Sequence, residues 1–301
     1  MSQESRVKSQ KGQVIIILLL VMVISLAIGL SVVGRSLTEI ATSTNSENSA
    51  RAFSAAESGI EKILYLNSLT PTPAPRGSLT IGTDKLTNNS QATVNWNNNL
   101  PLNGTALEYP PFGKESFAQF WLADPKDTPP SLFYNKPDFD IYFGDPDYNY
   151  TKDAVSNENY PAIEVRVVNS DNTSILKVFD SSPSNDTRSR FPGCIERGTK
   201  DAPLLLLTNS NTTNSQFLCR VTVTGYSVYP VMARVRILFS NITHPVALRP
   251  TSSGSLPPQA KIFDSKGTSG NVQRNLQVFQ ETYFMPQIFD YAVFSLSELR
   301  K

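Results

Sequence analysis

An uncharged stretch of 21 residues, Val14 to Gly34, constrains this chain more than any other feature of its sequence. A helix rises about 1.5 Å per residue, so the stretch would span roughly 31 Å, close to the thickness of a bilayer's hydrocarbon core. The apolar core of a secretory signal peptide is shorter, about 7 to 15 residues, and a cleavage site follows it. The sequence therefore predicts a retained anchor whose first partner is the lipid bilayer.

Basic residues give the expected orientation of this anchor. Arg6, Lys8 and Lys11 precede the apolar stretch, whereas Arg35 alone follows closely behind it. Segments rich in Lys and Arg beside a membrane span remain in the cytoplasm. We therefore expect residues 1–12 to be a cytoplasmic basic leader on a single-pass protein, with the remainder of the chain outside the cytoplasmic membrane.

The anchor is predicted to continue as one long helix over residues 13–66. No proline precedes Pro71, and an interior proline is the strongest helix breaker. Apolar residues recur at intervals of three and four in the second half of this region, which predicts an amphipathic stripe that packs on the exported domain. The stripe consists of Phe53, Ala56, Ile60 and Ile63. A proline-rich linker, residues 67–77, is expected to end the helix.

Two segments of this region resemble a known family. Lys11-Gly12-Gln13 precedes the apolar stretch, and the sequence AFSAAESGIE follows it at residues 52–61. Together they resemble the PilX-type amino-terminal region of type IV pilus minor pilins, over residues 9–66. The resemblance implies a membrane-held, pilin-like subunit that can enter a filament and carries its globular head outside. The partners it implies are other pilins and the prepilin peptidase.

Type IV pilins are cut by this peptidase after a glycine that follows basic residues. Gly12 matches that glycine, which would make Gln13 the first mature residue. The family usually has Glu at mature position five, where this chain has Ile17. In major pilins that Glu compensates the amino terminus of a neighbouring subunit, because an unpaired charge is costly in an apolar filament core. The departure implies a minor, priming or tip subunit rather than a major pilin.

Residues 78–301 are predicted to form a β-rich domain, so the expected fold class is α+β. Period-two alternation and turn clusters indicate short strands, arranged as a pilin-like sheet or a β-sandwich. The predicted strands are 92–96, 117–122, 141–143, 163–168, 175–179, 204–207, 217–224 and 231–239. Residues 248–270, rich in Pro, Ser and Gly, are predicted to be a loop.

The chain contains two cysteines, Cys194 and Cys219. In an exported domain they would meet oxidising conditions, and an even count allows one pairing. Pilin heads often carry a disulfide near the carboxy terminus, and the resemblance favours the same bond here. The alternative is a pair of buried free thiols.

Asp145, Asp147 and Asn149 form a weak calcium candidate. Their every-second-residue spacing lets a loop turn oxygen ligands inward. The EF-hand pattern then fails, because Tyr150 and Ser156 stand where its glycine and its bidentate Glu belong. Asp and Asn beside Gly and Pro are also ordinary turn formers. No other cofactor is predicted.

Charge and motifs disfavour other functional classes. The net charge is +1, and no Lys-Arg stripe in the exported region indicates a nucleic-acid partner. His244 is the sole histidine, and the sequence contains no nucleophile elbow, zinc-protease or phosphate-loop motif. We therefore expect a protein that is not an enzyme.

The resulting hypothesis is a minor pilin-like subunit acting in pilus assembly, adhesion or cell contact. One alternative is a single-pass, membrane-anchored surface-binding domain that does not polymerise. A third is an exported hydrolase, because two acids that meet in space leave no trace in sequence.

Overall fold

One long helix followed by antiparallel sheets forms the described part of the chain, which confirms the predicted α+β class. The computed structural model describes residues 11–69, 74–82, 90–101, 106–114, 116–127, 130–131, 133–147, 160–171, 173–182, 191–209, 214–226, 229–238, 240–251 and 254–286, with side chains from residue 15 onward.

The helix, α1, runs without interruption from Lys11 to Leu69, a length of 59 residues. Its hydroxyl residues do not break it, because they bond within the helix. Thr38 Oγ1 donates to the Gly34 carbonyl at 2.9 Å, and Thr42 Oγ1 donates to the Thr38 carbonyl at 2.8 Å. Each hydroxyl thus bonds to a carbonyl one turn back, a pattern that helices tolerate.

Fifteen strands follow in the described residues. The first eight are β1 Arg76–Ile81, β2 Ser90–Leu100, β3 Leu107–Phe112, β4 Phe117–Trp121, β5 Asp138–Phe143, β6 Ala162–Asn169, β7 Ser174–Asp180 and β8 Glu196–Arg197. The others are β9 Leu204–Leu207, β10 Asn214–Phe217, β11 Cys219–Thr224, β12 Pro230–Leu238, β13 His244–Pro250, β14 Ala260–Ser269 and β15 Val272–Glu281. The first strand begins inside the predicted linker.

The chain divides into two compact units. The first unit joins residues 1–64, which include most of α1, to residues 79–94 and 265–276. These two segments come from a sheet with the strand order β1-β2-β14-β15. A two-residue turn, Gly270-Asn271, connects β14 to β15, and Gly270 has a φ of +54° that suits glycine.

The second unit comprises residues 65–78, 95–264 and 277–301. Its main feature is a pair of sheets, with the orders β3-β13-β5-β11-β8 and β4-β12-β6-β7. Alternate residues of both sheets enter one hydrophobic core, among them Phe120, Phe139, Ile141, Val165 and Val235. Strands with one face buried in this way define a β-sandwich. A separate hairpin pairs β9 with β10.

The predicted strands all overlap observed ones, but the predicted loop at 248–270 is wrong at both ends, since only residue 251 and residues 254–259 of its described part lie between β13 and β14. Residues 248–250 belong to β13 and residues 260–269 form β14. The buried positions near the end of β14 are Ser265, Gly267 and Ser269. Small residues occupy these positions where apolar ones are expected, so β14 lacks the hydrophobic alternation that reveals a strand.

Candidate membrane anchor and helix packing site

The amino-terminal part of α1 is apolar and fully exposed. Large aliphatic side chains from Ile15 to Val33 are each about half or more accessible, and none of them is buried in the fold. By length and composition, α1 is the one helix of the described residues that could cross a membrane. An apolar surface of this size is unusual on a soluble protein, where it marks an interaction site.

The predicted cleavage residues lie at the start of this helix. Gly12 and Gln13 have helical backbone in the first turn of α1. The basic residues Arg6 and Lys8 lie outside the described residues. Cleavage after Gly12 therefore stays a prediction.

The second part of α1 packs on strands of the first unit. Its buried residues are Ala52, Ala56, Gly59, Ile60 and Ile63. They recur at intervals of three and four, so they form one face of the helix. Three of the four predicted stripe residues, Ala56, Ile60 and Ile63, are on this face.

Phe53 is not part of the buried face, and the prediction for this residue is wrong. Its side chain is 45% exposed, whereas Ala52 is fully buried. Successive residues of a helix differ by about 100° in direction, so Ala52 and Phe53 cannot both face the sheet. Ala52 occupies the position because the backbone of β14 lies too close for a ring.

Glycine and alanine allow the helix and strand backbones to approach closely. A Cβ atom on Gly267 would lie 1.9 Å from the Ala52 carbonyl oxygen and 2.8 Å from the Ala56 nitrogen. A Cβ on Gly59 would lie 2.6 Å from both Ser265 Oγ and Val94 Cγ2. Real Cβ atoms do not approach other atoms so closely. Both positions therefore require glycine, one from each side of the contact.

Polar contacts hold the same helix face one turn earlier. Arg274 Nε donates to Ser49 Oγ at 2.8 Å, and Ser269 Oγ donates to Asn48 Oδ1 at 3.4 Å. These bonds join α1 to both strands of the β14–β15 hairpin. They mark the point, at residue 48, where the packed part of the helix begins.

The predicted disulfide is present in the second unit. Cys194 and Cys219 are bonded, with their Cα atoms 5.4 Å apart, within the usual range. Cys219 begins β11 and is fully buried. The bond ties the segment before β8 to β11, the strand next to β8 in the five-stranded sheet, and the alternative of free thiols is wrong.

The weak calcium candidate contains a turn. Asp145 Oδ1 accepts a hydrogen bond from the backbone nitrogen of Asp147 at 2.9 Å, as in an Asx-turn. Asn149 lies outside the described residues. Among the residues that the structure describes, no group of three or more His, Cys, Asp and Glu side chains could hold a metal ion.

A buried Ser-His pair bears on the hydrolase hypothesis. Ser240 Oγ lies 2.6 Å from His244 Nε2, while the backbone nitrogen of Asp145 donates to His244 Nδ1 at 3.3 Å. With Nδ1 accepting, the neutral ring carries its proton on Nε2 and donates it to the serine. Burial lowers the pKa of His244 to about 4. A histidine acting as general base on a serine needs the opposite arrangement, so this pair is a structural hydrogen bond.

A buried ionic cluster on the five-stranded sheet was missed by sequence reasoning. Asp140 is almost fully buried, and its carboxylate accepts hydrogen bonds from Arg220 at 3.4 Å, from Thr222 at 2.6 Å and from Arg249. Thr222 and Arg249 lie directly opposite Asp140 on β11 and β13. Only the strand register brings these residues together, and their sequence separations of about a hundred residues give no signal.

Comparisons with known protein families and curated proteins found no relative. No protein-family model matches the chain, and no curated protein matches it either.

Proposed function

We propose that this protein is a minor pilin-like subunit, held in the cytoplasmic membrane by the first part of α1 and able to pass into a type IV pilus or a related filament. Its head would serve pilus assembly, adhesion or cell contact. The amino terminus would remain in the cytoplasm, in line with the basic residues around Arg6, Lys8 and Lys11.

The observation that carries the proposal is the division of α1 into two parts. Residues 15–46 are exposed throughout, whereas the face formed by Ala52, Ala56, Gly59, Ile60 and Ile63 is buried against strands of the first unit. A simple tether would need no fixed packing beyond the membrane. A filament subunit needs it, because the strands packed on its helix take a set position whenever that helix packs among others.

The resemblance of residues 9–66 to minor pilins supplies the second support. It assigns Gly12 as the cleavage residue and Gln13 as the mature amino terminus. Ile17 in place of the family's Glu favours a minor subunit that primes a filament or lies at its tip.

Amino-terminal sequencing tests the proposal. Protein recovered from membranes and from sheared filaments of cells with an active prepilin peptidase should begin at Gln13, and Gly12→Leu should block the change. Gly34→Leu is a matched control, because nothing lies within 4 Å of a Cβ at Gly34. That variant should be cleaved normally. Mature protein that begins at Met1 and never appears in the sheared fraction would overturn the proposal.

The second candidate is a membrane-anchored surface-binding domain that does not polymerise. The observation that favours it is Ile17, since the usual acidic residue of filament subunits is missing. The same experiment separates the two, because this candidate predicts an uncleaved chain that stays in the membrane fraction.

A further inference from the structure

The four-stranded sheet β4-β12-β6-β7 has an outer face that points away from the sandwich core. Alternate residues of each strand lie on this face, because the residues between them, such as Ala118, Val165 and Val235, enter the core. The strand register sets the outward residues in rows. One row is Gln119, Arg234, Arg166 and Leu176, and the next is Phe117, Arg236, Glu164 and Val178.

The middle of this outer face is buried, although it lies outside the core. Arg234 is 5% exposed and Arg166 is 8% exposed, whereas Leu176, at the end of the same row, is 52% exposed. A long side chain on the outer face of a sheet is buried to this degree only where another part of the chain covers it. A cover therefore lies over β12 and β6 and leaves the neighbouring position on β7 open.

The residues after β15 supply the first part of this cover. The Tyr283 carbonyl accepts hydrogen bonds from Gln119 Nε2 and Trp121 Nε1 of β4, both at 3.1 Å. Two residues later, the Met285 nitrogen donates to Gln119 Oε1 at 3.2 Å. The Met285 carbonyl accepts from Arg234 Nη2 of β12 at 2.8 Å. The chain thus passes from β4 to β12 within three residues, in the direction of β6.

Ring contacts fix this crossing. The Phe284 ring stacks on the Phe117 ring of β4, with 5.3 Å between centroids and 10° between planes. Arg234 Cζ lies 3.9 Å from the centroid of the same Phe117 ring. Stacked rings and cation–π pairs of this geometry are favourable. Pro286 follows, which favours an extended backbone at Met285. The chain is therefore held over the boundary between β4 and β12.

The next residues have the composition that a cover of this face needs. Residues 287–296, with the sequence QIFDYAVFSL, lie outside the described residues and combine apolar and aromatic side chains with one acid, Asp290. The two rows of the face carry three arginines and Glu164, and Arg166 lies directly opposite Arg234. Like charges in that arrangement repel each other, so an acid in the cover is favourable. Strand β6 is one spacing of about 4.8 Å beyond β12, which two extended residues span.

From this arrangement we infer that the outer face of the sheet is a docking surface for the chain's own residues 287–296, which form a strap across β12 and β6. Asp290 of the strap lies against Arg234 and Arg166, and its apolar side chains exclude water from them. Burial of paired charges under apolar groups matches the low exposure of both arginines. The inference goes beyond filament entry and does not depend on it, because the sheet and the strap belong to the second unit.

Cross-linking of introduced cysteines tests the strap in the full-length chain, kept in detergent. The native cysteines are bonded to each other and do not react. A short bismaleimide should join Phe289→Cys to Leu176→Cys, because Leu176 is exposed and lies directly opposite Arg166. Leu207→Cys is the matched control. Leu207 is 41% exposed, but it belongs to the β9–β10 hairpin, which packs on the five-stranded sheet. Phe289→Cys should not be joined to it.

Asp290→Arg separates a docked strap from a tail that only passes near β7. It places a cation against the arginines, so most of the cross-linked monomer should be lost, whereas Glu298→Arg, beyond the strap, should leave the yield unchanged. The inference would be overturned if Leu176→Cys gave no more product than Leu207→Cys, or if Asp290→Arg had no effect. Cross-linked dimers in place of monomers would assign the face to a second copy and overturn it as well. None of these results bears on cleavage at Gly12, so failure here is distinct from failure of the proposed function.

Discussion

The two units of this protein pack by opposite means. In the first, the contact between α1 and its strands is made by Ala52, Ala56, Gly59 and Gly267. The helix and strand backbones lie close together there because these residues have a very small side chain or none. In the second, the core is filled by large side chains such as Phe120. Added volume should therefore damage the first unit, and removed volume should damage the second.

The largest effect is expected in the second unit, from Phe120→Ala. Phe120 is fully buried and meets the Tyr109 ring edge-to-face, with 5.1 Å between centroids. Truncation of a buried Phe costs about 3–5 kcal/mol. Urea unfolding of the full chain in detergent would measure the loss. Phe133→Ala, at a ring that is 41% exposed, should lose far less, and equal losses would contradict a volume-filled core.

Gly267→Val tests the first unit by adding side-chain volume at the close contact. The valine would place atoms on the Ala52 carbonyl, and overpacking of this kind costs about 1–3 kcal/mol. Residues 48–64 should detach, which would expose the peptide bonds after Arg51 and Lys62 to trypsin. Gly113→Val is the control, because the nearest atom to a Cβ there is Thr243 Cγ2 at 4.0 Å. Equal trypsin resistance in both variants would refute the close contact.

A buried acid, Glu281, allows a further test of the second unit. Burial raises the pKa of Glu281 from 4.5 to about 7, against the opposing effect of Arg234. Glu281 Oε2 is buried without a hydrogen-bond partner among the described residues, which also disfavours the ionised form. As pH rises above 4.5, the unfolded chain releases this proton before the folded chain does.

The stability of the protein relative to its Glu281→Gln variant should therefore fall between pH 4.5 and about 7 and stay level above that. His244, with its lowered pKa, acts in the other direction over pH 4 to 6.5, but it is common to both proteins and cancels in the difference. Urea unfolding at several pH values measures this difference. A difference that does not change with pH would show that Glu281 titrates as an exposed acid.

The smallest effect is expected at Phe53. An exposed position typically changes the free energy of unfolding by less than about 0.5 kcal/mol, so Phe53→Ala should leave the first unit intact. Ile63→Ala, ten residues later on the buried face, should cost about 2–5 kcal/mol. A larger loss at Phe53 than at Ile63 would mean that the helix is rotated relative to this structure.

The sequence predicts elements whose buried residues are apolar and misses those whose buried residues are small. The long helix was predictable, because proline is missing from it and residues 14–34 carry no charge. The sandwich strands were predictable as well, because their buried residues are apolar and alternate. The strand β14 was missed because its buried residues Ser265, Gly267 and Ser269 are small rather than apolar. Phe53 was misplaced for the same reason, since hydrophobicity alone ranks Phe above Ala52 for a buried position.

The disulfide and the Asp140 cluster also differ in whether the sequence predicts them. Two cysteines allow one pairing, so the disulfide could be stated from the sequence. The Asp140 cluster depends on the strand register of β5, β11 and β13. Local sequence patterns do not contain this information, because the participating residues are separated by long stretches of chain.

The central claim, that one helix is a membrane span in its first part and a packed element in its second, can be tested directly by labelling single introduced cysteines. The native pair is bonded and does not react. In lipid vesicles, a maleimide that cannot cross membranes should label Glu61→Cys rapidly, and should fail to label Ile24→Cys inside the bilayer or Ile60→Cys on the buried face. Labelling of Ile60→Cys as fast as its neighbour Glu61→Cys, or of Ile24→Cys at all, would contradict the account.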